Sequence, residues 1–349
     1  MDAFFLALLV LFVGSGVMQP LLISTLGYNG AYDKSTLLFL LPNYVGMSFA
    51  AFLRPKLWST GTLRPRKLML LCAIDVLSQF LCQYGLAIAG SSLYIVIYSS
   101  CTIWIAFESR LIIGRKLAAS QWAGCAAVVA GLAITGGNLA SSLDDKSNAE
   151  IAVGASMILL GSVSHALTWV LVELMLHEHD PVLPEAVSAV MGGAGVAVFG
   201  AWQIFYTLPR ADDLVLEPIA SHGGHVAAIL TAYAVLTTAS LVHAVTFYHL
   251  VGRLGCVTAG VMKGCQAVAV FVASHLLFCS VQDSQCFSTA KAWSLVFVVL
   301  GTATYALTGA HKEPQQSGRT DELAPADFIL VDPEDSTTFN TSYHKCGAA

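Results

Sequence analysis

Read from its first residue, the chain alternates long apolar runs with short breaks of Gly, Pro, Ser or charge. Ten runs can be marked, at about residues 3–25, 36–53, 68–88, 91–109, 118–137, 151–175, 184–206, 225–247, 255–279 and 292–310. Most reach the roughly 20 residues with which an α-helix crosses a bilayer core. The pattern predicts an all-α integral membrane protein with ten transmembrane helices. The first run differs from a cleaved secretory leader: it has no basic stretch before it, opens after Asp2 and is too long for a leader's apolar core.

Composition agrees with that pattern. Charged residues make up 11% of the chain and the apolar set AVILMFWYC 56%, with a mean hydropathy of +0.70, outside the range of ordinary soluble domains. The formal charge of -5, with basic residues gathered in short loops rather than along one surface, argues against a nucleic-acid partner. Nine cysteines lie mostly inside apolar runs with no CxxC spacing, which gives no metal or thiol-redox signature. His177 with His179, and His222 with His225, are loop pairs lacking a further nearby Cys or His, so no metal site is expected.

The placement of Lys and Arg orients the chain. Arg54, Lys56, Arg64, Arg66 and Lys67 separate the second and third runs; Arg110, Arg115 and Lys116 separate the fourth and fifth; Arg253 separates the eighth and ninth. The opposite loops hold only Lys34, Lys146, Arg210 and Lys291. With an even number of crossings, both termini are expected in the cytosol. Residues 311–349 read as a disordered polar tail, too poor in apolar residues to form a core. Its FILVDPED stretch reads as solvated, with a short sorting or docking segment as the alternative. The sequon at Asn340 would lie on the cytosolic side, away from glycosylation.

Polar residues inside the runs are the candidates for function, because hydrocarbon penalises them. Lys263 stands out. It lies eight residues into the ninth run, about 12 Å along a helix rising 1.5 Å per residue, and must face a partner, water or a ligand. Asp75 in the third run could pair with it, carry a coupling proton, or reach toward water. Gln79 and Gln83 follow Asp75 on the same helical face and suggest a hydrogen-bonding wall. His165, among Ser162, Ser164 and Thr168, reads as an interhelical hydrogen bonder or a proton relay. Asn43 and Tyr44 follow Pro42, which is expected to bend the second run toward a cavity. Tyr94 and Tyr98 are packing or ligand contacts. Glu108 and Arg110 are read as a gate or a snorkelling pair, with Glu173 near the same end. Gly192, Gly193, Gly195 and Gly200 allow close helix approach. Cys279 and Cys286 read equally well as a disulfide or as two free thiols.

The two halves echo one another. Trp122 precedes Gly131, and Trp293 precedes Gly301, each at the end of its half. An odd number of spans per half makes the second copy inverted, the arrangement that builds a midplane site between repeats in many carriers. The domains would then be residues 1–140 and 141–310.

Ser109-Arg110-Leu111, Gly114-Arg115-Lys116-Leu117 and Gln121-Trp122-Ala123-Gly124, with Lys263, Leu277-Phe278, Gly301 and Tyr305, resemble the drug/metabolite transporter superfamily (EamA-like), and within it the solute-carrier branch of nucleotide-sugar-type transporters. The likeness runs over residues 3–310. It implies two five-helix bundles, a central cavity open alternately to each side, solute movement without covalent chemistry, Lys263 against substrate phosphate, and a Golgi or other endomembrane location, with plasma or vacuolar membrane left open. The Gly-Ala-Leu-Asn-Lys motif of GDP-mannose carriers is absent; Ala259-Gly260-Val261-Met262-Lys263 keeps one glycine and the lysine. The fourth run has no second lysine, so a doubly anchored pyrophosphate is not supported.

These readings predict a secondary-active carrier of an organic, anionic solute. A carrier of small cationic or neutral metabolites is the alternative, and a non-transporting receptor or scaffold the alternative of another class. No P-loop is present, no cofactor is expected, and no reactive pair at one depth suggests an enzyme. The expected partners are a small-molecule solute and the lipid bilayer, with a homodimer left open.

Overall fold

The computed structural model describes residues 3–53, 65–89, 91–137, 148–178, 181–280 and 286–310. The tail with its FILVDPED stretch and Asn340, together with His179, lies outside them. The regular structure of the described residues is all helical. Its α-helices are α1 (Ala3–Tyr28), α2 (Leu41–Ser48), α3 (Pro65–Ala89), α4 (Ser91–Ser99), α5 (Cys101–Ile112), α6 (Ala119–Gly137), α7 (Asn148–Leu176), α8 (Pro184–Trp202), α9 (Glu217–Ser221), α10 (Val226–Leu254), α11 (Cys256–Phe278) and α12 (Thr289–Ala310). Among the described residues, seven helical stretches are long and apolar enough to cross a bilayer, namely those of α1, α3, α7, α8, α10, α11 and α12. The chain is a multi-pass membrane protein.

The other apolar runs are shorter or broken. Residues 38–52 and 119–134 are short apolar helices, the former being α2 flanked by 3-10 turns at Leu38–Leu40 and Phe49–Phe52. Pro42 therefore does not bend a helix from within. It occupies the first turn of α2, where its missing N–H and fixed φ suit a helix start. The run at 91–112 is divided at Ser100. There the Ser99 and Ser100 hydroxyls donate to the carbonyls of Val96 and Ile97 at 2.7 and 2.6 Å, and the Trp104 indole donates to Ser100 Oγ. Hydroxyls that bind the preceding turn in this way bend helices. Beyond α8 the chain stays helical through π turns at Gln203–Thr207 and Asp212–Leu216 before reaching α9.

The bundle is oily on its outside, and it buries polar side chains among an apolar core. Large apolar side chains such as Phe205, Leu276 and Leu307 are exposed on the outside, whereas Ser78, Ser162, Ser188, Thr246 and Ser274 are buried. Several of the buried hydroxyls are satisfied within their own helix, Ser162 and Thr246 each donating to the carbonyl four residues earlier at 2.7 Å, while Ser188 donates to the Met47 carbonyl of α2 at 3.1 Å. Lipid offers no hydrogen bonds, so helix contacts are made by small residues and backbone approach. Gly124 of α6 and Gly301 of α12 face each other, and a Cβ on either would stand 2.7 Å from the other's carbonyl oxygen. The most extensive helix pairings are α3 with α7, α6 with α12, α1 with α10, and α2 with α8.

The α8 glycines divide into two kinds. Gly192 meets the backbone at Met47 and Ser48, and Gly195 lies directly under the Tyr44 ring, whereas Gly193 and Gly200 have open space around them. Only the first two permit close approach to α2. Gly192→Ala is therefore expected to destabilise the detergent-solubilised protein by about 1–3 kcal/mol, as overpacking does, while Gly193→Ala leaves the melting temperature unchanged; thermal unfolding of both variants is the check.

Cys279 and Cys286 are joined by a disulfide, their Cα atoms 4.5 Å apart. Among the described residues, the one cluster of three groups able to hold a metal is these two sulfurs with His275, and their pairing removes them as thiolate ligands. Alkylation without reductant followed by peptide mass mapping should leave both cysteines unlabelled. Full labelling of both would remove the bridge.

Candidate functional site

A cavity of about 170 Å³ lies where α1, α2, α3, α7, α8, α10 and α11 meet. Its wall brings together Lys263, Asp75, Gln79, Asn43, Tyr44 and His165 from widely separated parts of the chain. Gln83 and Tyr98 are not on that wall. Gln83 lies one turn beyond Gln79, where α3 and α7 close tightly: a Cβ on Gly161 would stand 2.6 Å from Cys82 Sγ, and one on Gly85 2.7 Å from Ile158. Tyr98 stacks on Tyr94 at 5.1 Å and meets the His165 ring at 5.9 Å, in a layer behind the cavity.

Asp75 is buried on α3, and its Oδ2 accepts a hydrogen bond from the Tyr44 hydroxyl at 2.8 Å. Tyr44 is itself held by the Phe199 ring at 5.1 Å and by the absence of a side chain at Gly195. Asn43 Oδ1 accepts from the Ser240 hydroxyl at 2.6 Å, tying α2 to α10.

Lys263 does not pair with Asp75, although both line the cavity. Its ammonium sits 4.6 Å from the centre of the Trp169 ring and 5.7 Å from that of Phe247, and it makes no ion pair with any described carboxylate. The two rings are themselves packed 4.5 Å apart. An aromatic face attracts a cation through its quadrupole, most strongly where water is excluded, so the aromatic faces replace the carboxylate that sequence alone suggests. His165 lies beside this cage with Nδ1 buried and without a hydrogen-bond partner among the described residues. His243 stacks on Phe12 at 4.8 Å, its Nδ1 directed at the Phe12 carbonyl and the Ser15 hydroxyl.

Sequence reasoning missed Trp169, Phe247, His243 and Ser240. The signal was helical spacing. His165, Trp169 and Val172 recur at i, i+4 and i+7 along α7, and Ser240, His243 and Phe247 at i, i+3 and i+7 along α10, each set on one face. A tryptophan or phenylalanine in a lipid-embedded helix is easily assigned to lipid instead.

A second cluster sits where α5, α7 and α10 end and α6 and α11 begin. Glu173 Oε1 is paired with the Arg115 guanidinium, while Oε2 accepts the backbone N–H of Cys256, the first residue of α11, at 2.6 Å. The guanidinium occupies the space a side chain at residue 255 would fill; Gly255, at φ +81°, leaves it open and turns the chain from α10 into α11. Lys67–Glu178 at 2.6 Å and His249–Glu185 at 3.3 Å add two further links at this end. Glu108 and Arg110 do not form the pair expected of them. Two residues apart on α5, they point to different faces: Glu108 is buried, with Oε2 unpartnered among the described residues, and Arg110 is exposed.

No family model matches the chain, nor does any curated protein. A solved structure titled "Crystal structure of protein" is similar, with a TM-score of 0.68 and 15% identity over 90% of this chain and 100% of that chain. At that identity the likeness speaks for the fold alone.

Removing one partner of a fully buried ion pair typically costs about 3–5 kcal/mol; with the Arg115 side chain 26% exposed, water offsets part of that, and a loss of about 1–3 kcal/mol is expected. Arg115→Ala and Glu173→Ala are each expected to lower stability by about that amount, and the double variant by much less than the sum. Thermal unfolding of the three variants in detergent measures the coupling; additive losses would show that the two groups act independently.

Proposed function

We propose that the protein is a secondary-active membrane carrier that moves an organic solute bearing an anionic group, with the solute held at Lys263 and the cavity exposed to each side of the membrane in turn. The observation that carries this reading is the ammonium of Lys263 at a cavity wall, seven residues into α11, held by ring faces and left without a carboxylate. A cation in that setting is poorly compensated, and an anionic solute would stabilise it. An intramembrane charge kept unpaired at a cavity is the arrangement expected of a binding site rather than of a structural ion pair.

The helix pairings support two inverted five-span repeats, residues 1–140 and 141–310. If α1, α2, α3, α4–α5 and α6 correspond in order to α7, α8, α10, α11 and α12, exchanging the halves converts α3–α7 into α10–α1, and maps α2–α8 and α6–α12 onto themselves. These are the most extensive pairings in the bundle. This reading takes α2, α4–α5 and α6 as further spans to make ten crossings, and puts the termini and the Glu173–Arg115 cluster on the side that carries the basic loops. That cluster then joins the α5–α6 loop of one half to α7 and α11 of the other, where a closure on the cytosolic side would be needed. The drug/metabolite transporter resemblance and an endomembrane location fit this picture.

Uptake of anionic metabolites, nucleotide sugars included, into liposomes containing the purified chain tests the reading. Lys263→Ala should reduce transport of the true solute by about 30-fold or more, the effect of removing one partner of a buried charge contact, and Lys263→Arg should retain part of it. Unchanged uptake of every anionic solute in Lys263→Ala would overturn the assignment.

A further inference from the structure

We propose, on the basis of the carrier reading above, that the solute is small and dipolar, with one anionic and one cationic group and no net charge. The cavity wall holds one cation, Lys263 from α11, and one acid, Asp75 from α3, and they do not pair. They attract one another across the chamber without ion-pair contact, and the group in direct contact with each is neutral. The Tyr44 hydroxyl serves one oxygen of Asp75, whose Oδ1 has no protein partner among the described residues, and the Trp169 and Phe247 faces serve Lys263.

Both neutral contacts are weaker than one with an opposite charge, and burial raises the penalty on each uncompensated group. A simple anion would satisfy Lys263 while bringing negative charge into a chamber that already holds Asp75. A simple cation would satisfy Asp75 and oppose Lys263. A solute carrying both charges compensates both walls at once. The other titratable groups facing the space do not alter this balance. His243 from α10 is directed at Phe12 and Ser15, the Tyr248 hydroxyl from α10 at Met191 Sδ, and His165 from α7 offers an unpartnered Nδ1 that a solute hydrogen bond could satisfy.

Size restricts the class further. A volume of about 170 Å³ is well under the roughly 300–1,000 Å³ of sites that enclose drug-sized ligands, so in this conformation the chamber suits a solute of a few carbons and not a nucleotide sugar. Tyr44 sets the spacing. Its hydroxyl occupies one carboxylate oxygen of Asp75, so the cationic group of the solute approaches Oδ1 while its anionic group reaches the ammonium from the open side of the aromatic cage.

The test is counterflow with the purified full chain in liposomes. The probes are an amine-to-carboxylate spacing ladder of glycine, β-alanine, γ-aminobutyrate and δ-aminovalerate, compared with butyrate, butylamine and a uridine-diphosphate sugar. One rung should exchange about tenfold or more faster than butyrate and butylamine, since a site built around a polar group discriminates strongly against analogues that lack it. Asp75→Asn should shift selectivity toward butyrate, and Lys263→Gln toward butylamine; these ratios separate loss of recognition from loss of folded protein, which size-exclusion profiles monitor. Exchange of the nucleotide sugar or of butyrate with no rung transported overturns the dipolar solute and leaves the carrier standing. No exchange of any probe, together with none in the broader metabolite screen, removes the carrier reading and this proposal with it.

Discussion

An ammonium cannot be left in hydrocarbon without compensation, and the centre of this bundle is arranged around that constraint. The insertion penalty for a lysine near the middle of a membrane helix is about 2.5–3.5 kcal/mol on the most lenient scale. Here the compensation comes from α7 and α10, which supply Trp169 and Phe247. Rings suit this task because they can lie against Lys263 without satisfying all of its hydrogen-bonding capacity. A carboxylate in their place would neutralise the site and leave it little to offer a solute.

Two kinds of contact hold the helices around this centre. Close backbone approach, at Gly124 against Gly301 and at Gly192 against Ser48, fixes α6 to α12 and α8 to α2 over long surfaces. Charged links do the work at one end, with Glu173 joined to both Arg115 and the N–H of Cys256. The first kind gives little on displacement, because packed interfaces deform poorly. The second can open, since water and the released groups can satisfy each other at the membrane surface.

Much of this was legible in the chain because the bilayer imposes a coarse rule. Long apolar runs had to be helices, and each of the seven long enough to cross overlaps a segment marked from hydropathy alone, most of them running a few residues beyond it. Lys263, Asp75, Gln79, Asn43, Tyr44 and His165 were found as intramembrane polar residues, and they line one cavity. What hydropathy does not carry is helix rotation. It could not show that Gln83 lies beyond the tight α3–α7 contact, or that Trp169 turns inward to hold a cation. Short-range spacing also misled where two residues were treated as neighbours by number: Glu108 and Arg110, two apart on a helix, never share a face. Pro42 was read as a bend inside a helix because the apolar run continues on both sides of it, while the backbone uses it to begin one.

A single glycine, Gly255, separates α10 from α11. With no slack between them, the two helices behave as one hairpin arm. Phe247 lies on one limb and Lys263 on the other, so the cation and one of its ring faces come from consecutive stretches of chain, while Trp169 comes from α7, whose most extensive contact is with α3. The phenyl ring is thus tied to the cation through the chain as well as by packing, and the indole by packing alone, so a displacement of α7 relative to this hairpin would change the field at Lys263 without taking Phe247 away from it.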